Sequence, residues 1–507
     1  MIGRESAVVL PPIGEVSPQR TGDLGRREAC LAKYRPPAGF LRTNRVALHV
    51  LSLIAVTALG GCTFYHPVPL SEGADLRGAP PSLPGEPEQP NPGAEGVEPG
   101  SVGEPLGIVA IAALAVLDNP QLRAVRAEAG VAKAQVFSTG LLPDPVVGLS
   151  GAKTVTSGMG LTNPWMIDFS QDLSALITRH VRLQASRAAA RQTHLHIVWE
   201  EWQTAQAARL LYVKRVMDEN RLELLDGARD LFQRRYERSF EAYQHGNLTL
   251  ETTGTDLTAL LSANTRVNDL ERELDQTRHD LNALLGLRAE VPLALQPIGN
   301  PSLLDDKEIQ AALADLPAHR PDLLALKAGY TSQEARVRQA ILQQFPAVTV
   351  GGEHSRDNSA VLDWGLSINI SLPLFNRNQG AIAIERASRA KLAAAYQARL
   401  DHSESEVTAL ASQQTLLLHQ AKNLEKNLPD LVQMTDLAEQ AYRSENINAL
   451  SYLNLQNTLL DKRLELLNLQ QAAWDTGIAL DTLLARTVGR SSRAGAGPSV
   501  PAGGKKP

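Results

Sequence analysis

The chain has 507 residues, a formal net charge of −5, 4% aromatic side chains and two cysteines. Charges of both signs are spread along Ala- and Leu-rich stretches with little Gly or Pro, which excludes a basic nucleic-acid patch and an acidic cation-storing tail and favours long helices. The length allows several domains, so internal organisation has to come from pattern.

Arg42 and Arg45 precede an apolar run over residues 46–59, too short to span a bilayer and suited to the core of a secretory signal. The run ends Leu59, Gly60, Gly61, Cys62. This resembles the bacterial lipobox, in which small residues admit the signal peptidase and the thiol of the first mature residue receives the lipid. Residues 1–61 are therefore expected to be an N-terminal extension and lipoprotein signal, removed together with Cys30, and Cys62 is the expected lipid attachment site. A plain signal peptide with an incidental cysteine is the alternative. Residues before Leu41 fit no signal, so translation is expected to begin near Leu41. Residues 62–104, rich in Pro, Gly and Glu, cannot bury a core and are expected to form a lipid-anchored linker.

From Gly107 onward the sequence repeats with a period of about 200 residues, far longer than a solenoid unit and hence a duplicated half-protein. Asn119, Pro120 and Leu122 align with Arg320, Pro321 and Leu323; Pro145, Val147, Ile167 and Leu173 align with Pro346, Val348, Ile368 and Leu374; Ala242 and Tyr243 align with Ala441 and Tyr442. The repeats are expected over residues 105–300 and 301–487, with a disordered tail at 488–507. Each copy reads as helix, strand, strand, long helix, turn, helix.

In the first copy Pro143 and Pro145 stop a helix, because proline removes a donor and its predecessor avoids the helical region. Val147 and Leu149 then alternate with Gly148 and Ser150, a Gly- and Ser-rich turn follows, and Trp165, Ile167 and Phe169 alternate with Asp168 and Ser170 on the return. In the second copy, residues 364–374 place Trp364, Leu366, Ile368, Ile370, Leu372 and Leu374 on one side, with Gly365, Ser367, Asn369, Ser371 and Pro373 on the other. About ten residues is what a tilted strand needs to cross a bilayer. Trp165, Ile167, Phe169, Trp364, Leu366, Ile368 and Ile370 are thus expected to face lipid, with the two tryptophans at the interface and Asp168 and Asp172 in the lumen. Two tryptophans packed in a soluble core is the alternative. Lys153 and His354 fall on the apolar faces and fit only at headgroup level.

Helical pattern runs over residues 175–245 and 380–445, each about 100 Å long at 1.5 Å per residue. In the last helix Leu453, Leu460, Leu467 and Trp474 recur every seven residues, supported by Leu450, Leu464 and Ile478, while Leu459, Leu466, Ala473 and Leu480 form a second seam beside the first. Two seams require neighbours on both sides. Pro429 is expected to bend the second long helix.

Four strands cannot close a membrane barrel, and open edges are not tolerated in lipid, so other subunits must complete the sheet. The lipobox, the duplicated Asn-Pro or Arg-Pro helix start, residues 141–145 leading into the first strand, Pro373, Leu374 and Phe375 closing the last, and residues 243–246 before the first tip together resemble the TolC-type outer-membrane efflux channels. The resemblance implies a mostly α fold with a small β part: a long-helix α-barrel joined to a transmembrane β-barrel completed by trimerisation, from two tandem repeats. It also implies a passive exit duct of a tripartite efflux pump, working with a periplasmic adaptor and an inner-membrane transporter of the RND type, in the bacterial outer membrane. In that family the tunnel closes at its periplasmic tip; here the tip turns are residues 245–249 and 444–448. Some relatives carry two aspartates just beyond the second turn. This sequence has Ser451 and Asn454 there and Thr252 and Thr255 in the first copy, so these four mark the expected gate region, without an acidic ring.

His194, His196 and Glu200 are best read as a solvated helix face, because His194 lies about 200° from His196 around the helix. The chain contains no HExxH, GxSxG, Walker or CxxC pattern, so no catalytic residues, resident metal or cofactor are expected. A lipid-anchored periplasmic adaptor or coiled-coil scaffold would account for the helices and lipobox, but not for membrane-length strands. The second copy is somewhat more similar to channels paired with heavy-metal pumps than to drug-efflux ones, and drugs or metal ions are the expected cargo.

Overall fold

A computed structural model describes residues 65–80, 105–156, 158, 160–444 and 446–486. Cys62, Glu445, the signal region and the tail lie outside the described residues. Residues 65–74 form a separate unit, exposed and without regular structure.

The body from Asp75 onward carries two copies of one order of elements. The first comprises α1 (Ile108–Asp118), α2 (Pro120–Gly140), β1 (Val146–Gly151), β2 (Trp165–Asp172), α3 (Ser174–Gln244) and α4 (Leu250–Leu284); the second comprises α5 (Asp306–His319), α6 (Pro321–Leu342), β3 (Ala347–Arg356), β4 (Leu362–Ser371), α7 (Gln379–Arg443) and α8 (Ala449–Leu483). The long helices and both tip turns fall where the periodicity and the turn residues put them. The short helices α1 and α5, one ahead of each copy, are additions that the sequence pattern does not announce. At 71 and 65 residues, α3 and α7 are about 107 and 98 Å long. No single described helix is long and apolar enough to cross a membrane.

The duplication recurs in the hydrogen bonds. The Asn119 side chain accepts from Leu122 N at 2.9 Å, capping α2, and donates to the Leu284 carbonyl at 2.9 Å. One repeat later the Arg320 guanidinium reaches the equivalent Leu483 carbonyl at 3.5 Å. Arg320 is fully buried and holds Asp322 through two bonds of 2.7 and 3.0 Å, with Ser403 Oγ at 2.8 Å. Asn and Arg thus perform the same tie with different reach. At the tips, the Thr249 and Asn448 side chains accept from Thr252 N and Ser451 N, satisfying orphan donors at the starts of α4 and α8.

Gly286, at the end of α4, has φ +67°, and a Cβ there would lie 2.7 Å from the Asp118 carbonyl oxygen. Glycine is required by conformation and by space. Its counterpart Ala485 adopts φ 51°, at a cost of about 1–2 kcal/mol.

Helices lie side by side. Near the sheet the order is α2, α3, α6, α7; towards the tips it is α4, α3, α8, α7. The two seams of α8 explain this middle position. Leu453 packs with Phe232, Leu260 and Ala263, and Leu460 with Leu225, Val267 and Leu270, all from α3 and α4. Leu480 of the second seam turns to Val407 of α7 and Leu323 of α6. Leu450, at the tip end of the seam, is exposed. α7 runs unbroken through Pro429.

A belt surrounds the midpoint of α3. Ile111 and Leu114 of α1, Tyr212 and Val213 of α3, Leu281 and Leu285 of α4 and Ile478 of α8 form its core. Part of the linker is fastened here: Arg77 N donates to the Gly286 carbonyl at 3.0 Å, its carbonyl accepts from Arg288 N at 2.9 Å, and its guanidinium pairs with Asp118 at 2.7 Å. Asp75 adds an ion pair with Arg123 of α2 at 2.6 Å, and the Pro/Gly composition of residues 62–104 gives no sign of this attachment.

Candidate channel wall and helix-tip junction

The sheet order is β1-β2-β3-β4, antiparallel throughout. Directly opposed residues in a ladder share a face, so the register decides facing for all four strands. Leu149, Ile167, His354 and Trp364 lie in one row, and Val147, Phe169, Gly352 and Leu366 in the next. Trp165, Ile368 and Ile370 are on the same face by alternation. All seven residues expected on the apolar face are therefore together, and among the described residues most of them stand uncovered: Leu366 is 95% exposed and Trp364 83%.

The opposite face holds Asp168, Asp172, Glu353 and Asp363 among Ser, Thr, Gly and Asn, with Val146, Met166 and Ala347, and that face of the four strands carries no Lys or Arg. Gly148, Asp168, Glu353 and Gly365 form one row. A Cβ at Gly365 would sit 2.8 Å from Glu353 Cγ, so the flanking glycine gives that carboxylate room to lie across the neighbouring strand. His354 lies between Trp165 (ring centroids 5.1 Å, edge-on) and Trp364 (4.2 Å, stacked). The histidine marks the aromatic level of the apolar face. Lys153 falls in the loop beyond β1.

β4 starts two residues earlier than the apolar alternation suggests and stops at Ser371. The ladder ends at Ala347↔Ser371 because the next residue of β3 is Pro346, which has no N–H to offer. Leu372 and Leu374 continue the exposed apolar surface past it.

At the other end, four helices meet. Arg235 of α3 donates from Nε to Asp256 of α4 at 2.7 Å, the two side chains being 11% and 1% exposed. The guanidinium carbon lies 4.6 Å from the ring centre of Tyr442 on α7 and 5.0 Å from that of Tyr452 on α8, and the rings stack with centroids 5.4 Å apart. A desolvated ion pair thus joins the first repeat, and a cation–π contact joins it to the second. Burial raises the Tyr452 phenol above its ordinary value. The junction lines a cavity of about 230 Å³ with Arg238, Glu439 and Arg443, and among the described residues Arg235 Nη1 and Nη2 and Asp256 Oδ2 have no hydrogen-bond partner.

The expected gate residues sit beside this junction and are not gathered into one cluster. Thr252 bonds with Thr249 and Thr255 with the Glu251 carbonyl. Ser451 and Asn454 are exposed one turn apart, on the side of α8 away from Tyr452 and Leu453. Among the described residues, no hydrogen bond of these four crosses between the repeats. Sequence reasoning missed Arg235 and Asp256. The available signal was Asp256 itself, a carboxylate seven residues before Ala263 in a seam that continues through Leu270. His196 and Glu200 stand 3.8 Å apart, both partly exposed.

Residues 312–486 match the sequence family described as outer membrane efflux protein. The cobalt-zinc-cadmium resistance protein CzcC of Cupriavidus metallidurans is 23% identical over 272 residues, 53% of this chain and 64% of that relative. The chain therefore matches less than two thirds of that protein's length. Among solved structures, CusC superposes with a TM-score of 0.63 at 19% identity, covering 74% of this chain and 91% of CusC. The outer membrane protein VceC of Vibrio cholerae gives 0.63 at 17% identity, covering 74% and 95%. At these identities the likeness establishes the fold, with the two-repeat arrangement of helices and strands described above. Residues 312–486 thus match the outer membrane efflux protein family, and the 74% of the chain that superposes shares the fold of CusC and VceC.

Proposed function

We propose that three copies of this chain form an outer-membrane channel, the passive exit duct of a tripartite efflux pump that includes a periplasmic adaptor and an RND-type inner-membrane transporter. The observation that carries this reading is the coincidence of edges. β1 and α2 lie at one side of the protomer and β4 and α7 at the other, so one head-to-tail contact extends sheet and helix layer together, and rotation closes the ring. Four strands from each of three copies make about twelve, above the practical minimum of about eight for a membrane barrel.

Unpartnered apolar side chains at both helical edges support the same contact. Leu250, Leu257 and Leu261 of α4 are exposed at one edge, and Leu416, Met434 and Leu437 of α7 at the other. In this arrangement the apolar sheet face with Trp165, Ile167, Phe169, Trp364, Leu366, Ile368 and Ile370 meets lipid, and Asp168 and Glu353 face the lumen. Cys62 carries the lipid anchor. The tunnel closes around Thr252, Thr255, Ser451 and Asn454, with the Arg235 junction holding the helix tips from behind.

The name of the relative CzcC, and the similarity of the second copy to heavy-metal branch channels, favour divalent metal ions as cargo. The deciding experiment is extraction of the full chain in mild detergent, sizing, and recording in planar bilayers. A trimer with ion conductance is expected; a monomer that stays soluble without detergent and conducts nothing would refute the channel. Metal sensitivity of a strain lacking this chain, with and without its return, tests the cargo.

A further inference from the structure

The two faces of the sheet divide its charges completely. All four strand carboxylates, Asp168, Asp172, Glu353 and Asp363, lie on the polar face, while His354 and Arg356 lie on the apolar one. A cation on a lipid-facing surface is costly except at the interface, where headgroups supply the counter-charge. The position of Arg356 meets that condition. The apolar face spans ten residue steps over residues 364–374, about 33 Å along the strand and about 24 Å after a 45° tilt, close to the hydrocarbon band of membrane barrels. Arg356 pairs with Leu362, two residues past Trp364, and with Trp165, and so stands level with Trp165 and about 5 Å beyond Trp364, at the end away from the helices.

Arg356 has no carboxylate partner among the described residues. Its Nη2 donates to the Asn163 carbonyl at 2.9 Å, which aims the guanidinium plane, and its buried Nε has no partner. Trp165, directly opposite on β2, walls one side. Lys153, exposed in the adjoining loop, adds a second cation without a carboxylate partner among the described residues. A planar guanidinium with free donors beside an indole is suited to bidentate phosphate recognition by a lipid whose acyl chains lie along Leu366 and Ile368.

We propose that Arg356, with Lys153, binds the phosphate of a phosphorylated glycolipid in the outer leaflet, one site per protomer on the outside of the barrel. The inference rests on the channel reading, since it needs the sheet to be in a membrane. The site uses the face opposite the pore, so its loss leaves conductance unchanged.

The test is native mass spectrometry of the full-length trimer in detergent, titrated with bis-phosphorylated lipid A, its dephosphorylated form and inorganic phosphate, with conductance recorded on the same preparation. Phosphorylated lipid A should load up to three per trimer, and Arg356→Gln with Lys153→Gln should weaken loading at least tenfold at unchanged conductance. Inorganic phosphate at millimolar concentration should not displace the lipid. Equal loading of the dephosphorylated form, or unchanged loading of the double variant, would overturn the proposal while leaving the channel intact. Displacement by phosphate alone would overturn it in favour of a simple anion site. Absence of a conducting trimer in the parent would instead sink the channel reading.

Discussion

A single arginine placed on alternate sides of β4 separates a membrane strand from a soluble one. Ile368 lies four residues from Trp364 and six from Leu374, about 9 Å inside one boundary of the apolar band and about 14 Å inside the other after tilt. It is 67% exposed, with Val350 as its cross-strand neighbour, so an arginine there has no carboxylate within reach and must stand in hydrocarbon. The expected cost is about 2–4 kcal/mol per copy, or about 30- to 700-fold against insertion for each protomer. Asn369, opposite Thr349, points to the face that carries Glu353 and Asp363, where an added cation is solvated and attracted. Leu366→Arg, two residues from the aromatic level, should fall between because its long stem can reach the interface. The assay is trimer recovered from the membrane fraction, by size-exclusion chromatography in detergent, for Ile368→Arg, Leu366→Arg and Asn369→Arg. The order Asn369, Leu366, Ile368 from mildest to most severe is expected. Equal yields from Ile368→Arg and Asn369→Arg would show that the strand facing has no connection with lipid.

Removing one partner of the buried tip pair, with Asp256→Ala, should destabilise the helix tips by about 3–5 kcal/mol, because the Arg235 charge would stay buried and uncompensated; faster hydrogen exchange confined to residues 231–260 and 439–456 is the readout. With no acidic ring at Ser451 and Asn454, channel conductance should depend only weakly on divalent ions, and Ser451→Asp with Asn454→Asp should create divalent block; micromolar block in the parent channel would contradict the gate assignment. Burial pushes the Asp475 carboxyl up to about 6, against the opposing Gln471 hydrogen bond and the Arg221 and Lys214 charges. A raised carboxylate pKa means the folded state holds its proton after the unfolded state has lost it, so stability should fall as pH rises from about 4 to 6. Asp475→Asn should abolish that slope and gain up to about 2 kcal/mol at pH 7.5, after discounting for partial exposure, as read from trimer melting at pH 5 and 7.5. Cys62→Ser should abolish acylation in metabolic labelling, and label retained by that variant would refute the anchor.

Local chemistry was enough for much of this molecule. The 3.6-residue and two-residue periodicities and the prolines before each first strand place the helices and strands because each is decided within a few residues of itself. The facing of β4 is legible for the same reason: alternation is a property of the strand alone. The double seam of α8 announces two neighbours but leaves open which helices they are. That choice required the tertiary structure, as did the β2–β3 ladder, which pairs Ile167 with His354 across the boundary between repeats and without a hairpin. The same holds for Arg77 on Asp118 and for Arg235 between Asp256 and two tyrosines. Both arginine contacts depend on one charged side chain meeting its partner on another element, and an arginine outside the apolar seams leaves no periodic trace of that partner in sequence. Apolar faces repeat and can be read; the counter-ion of a buried arginine is settled only when the helices have packed.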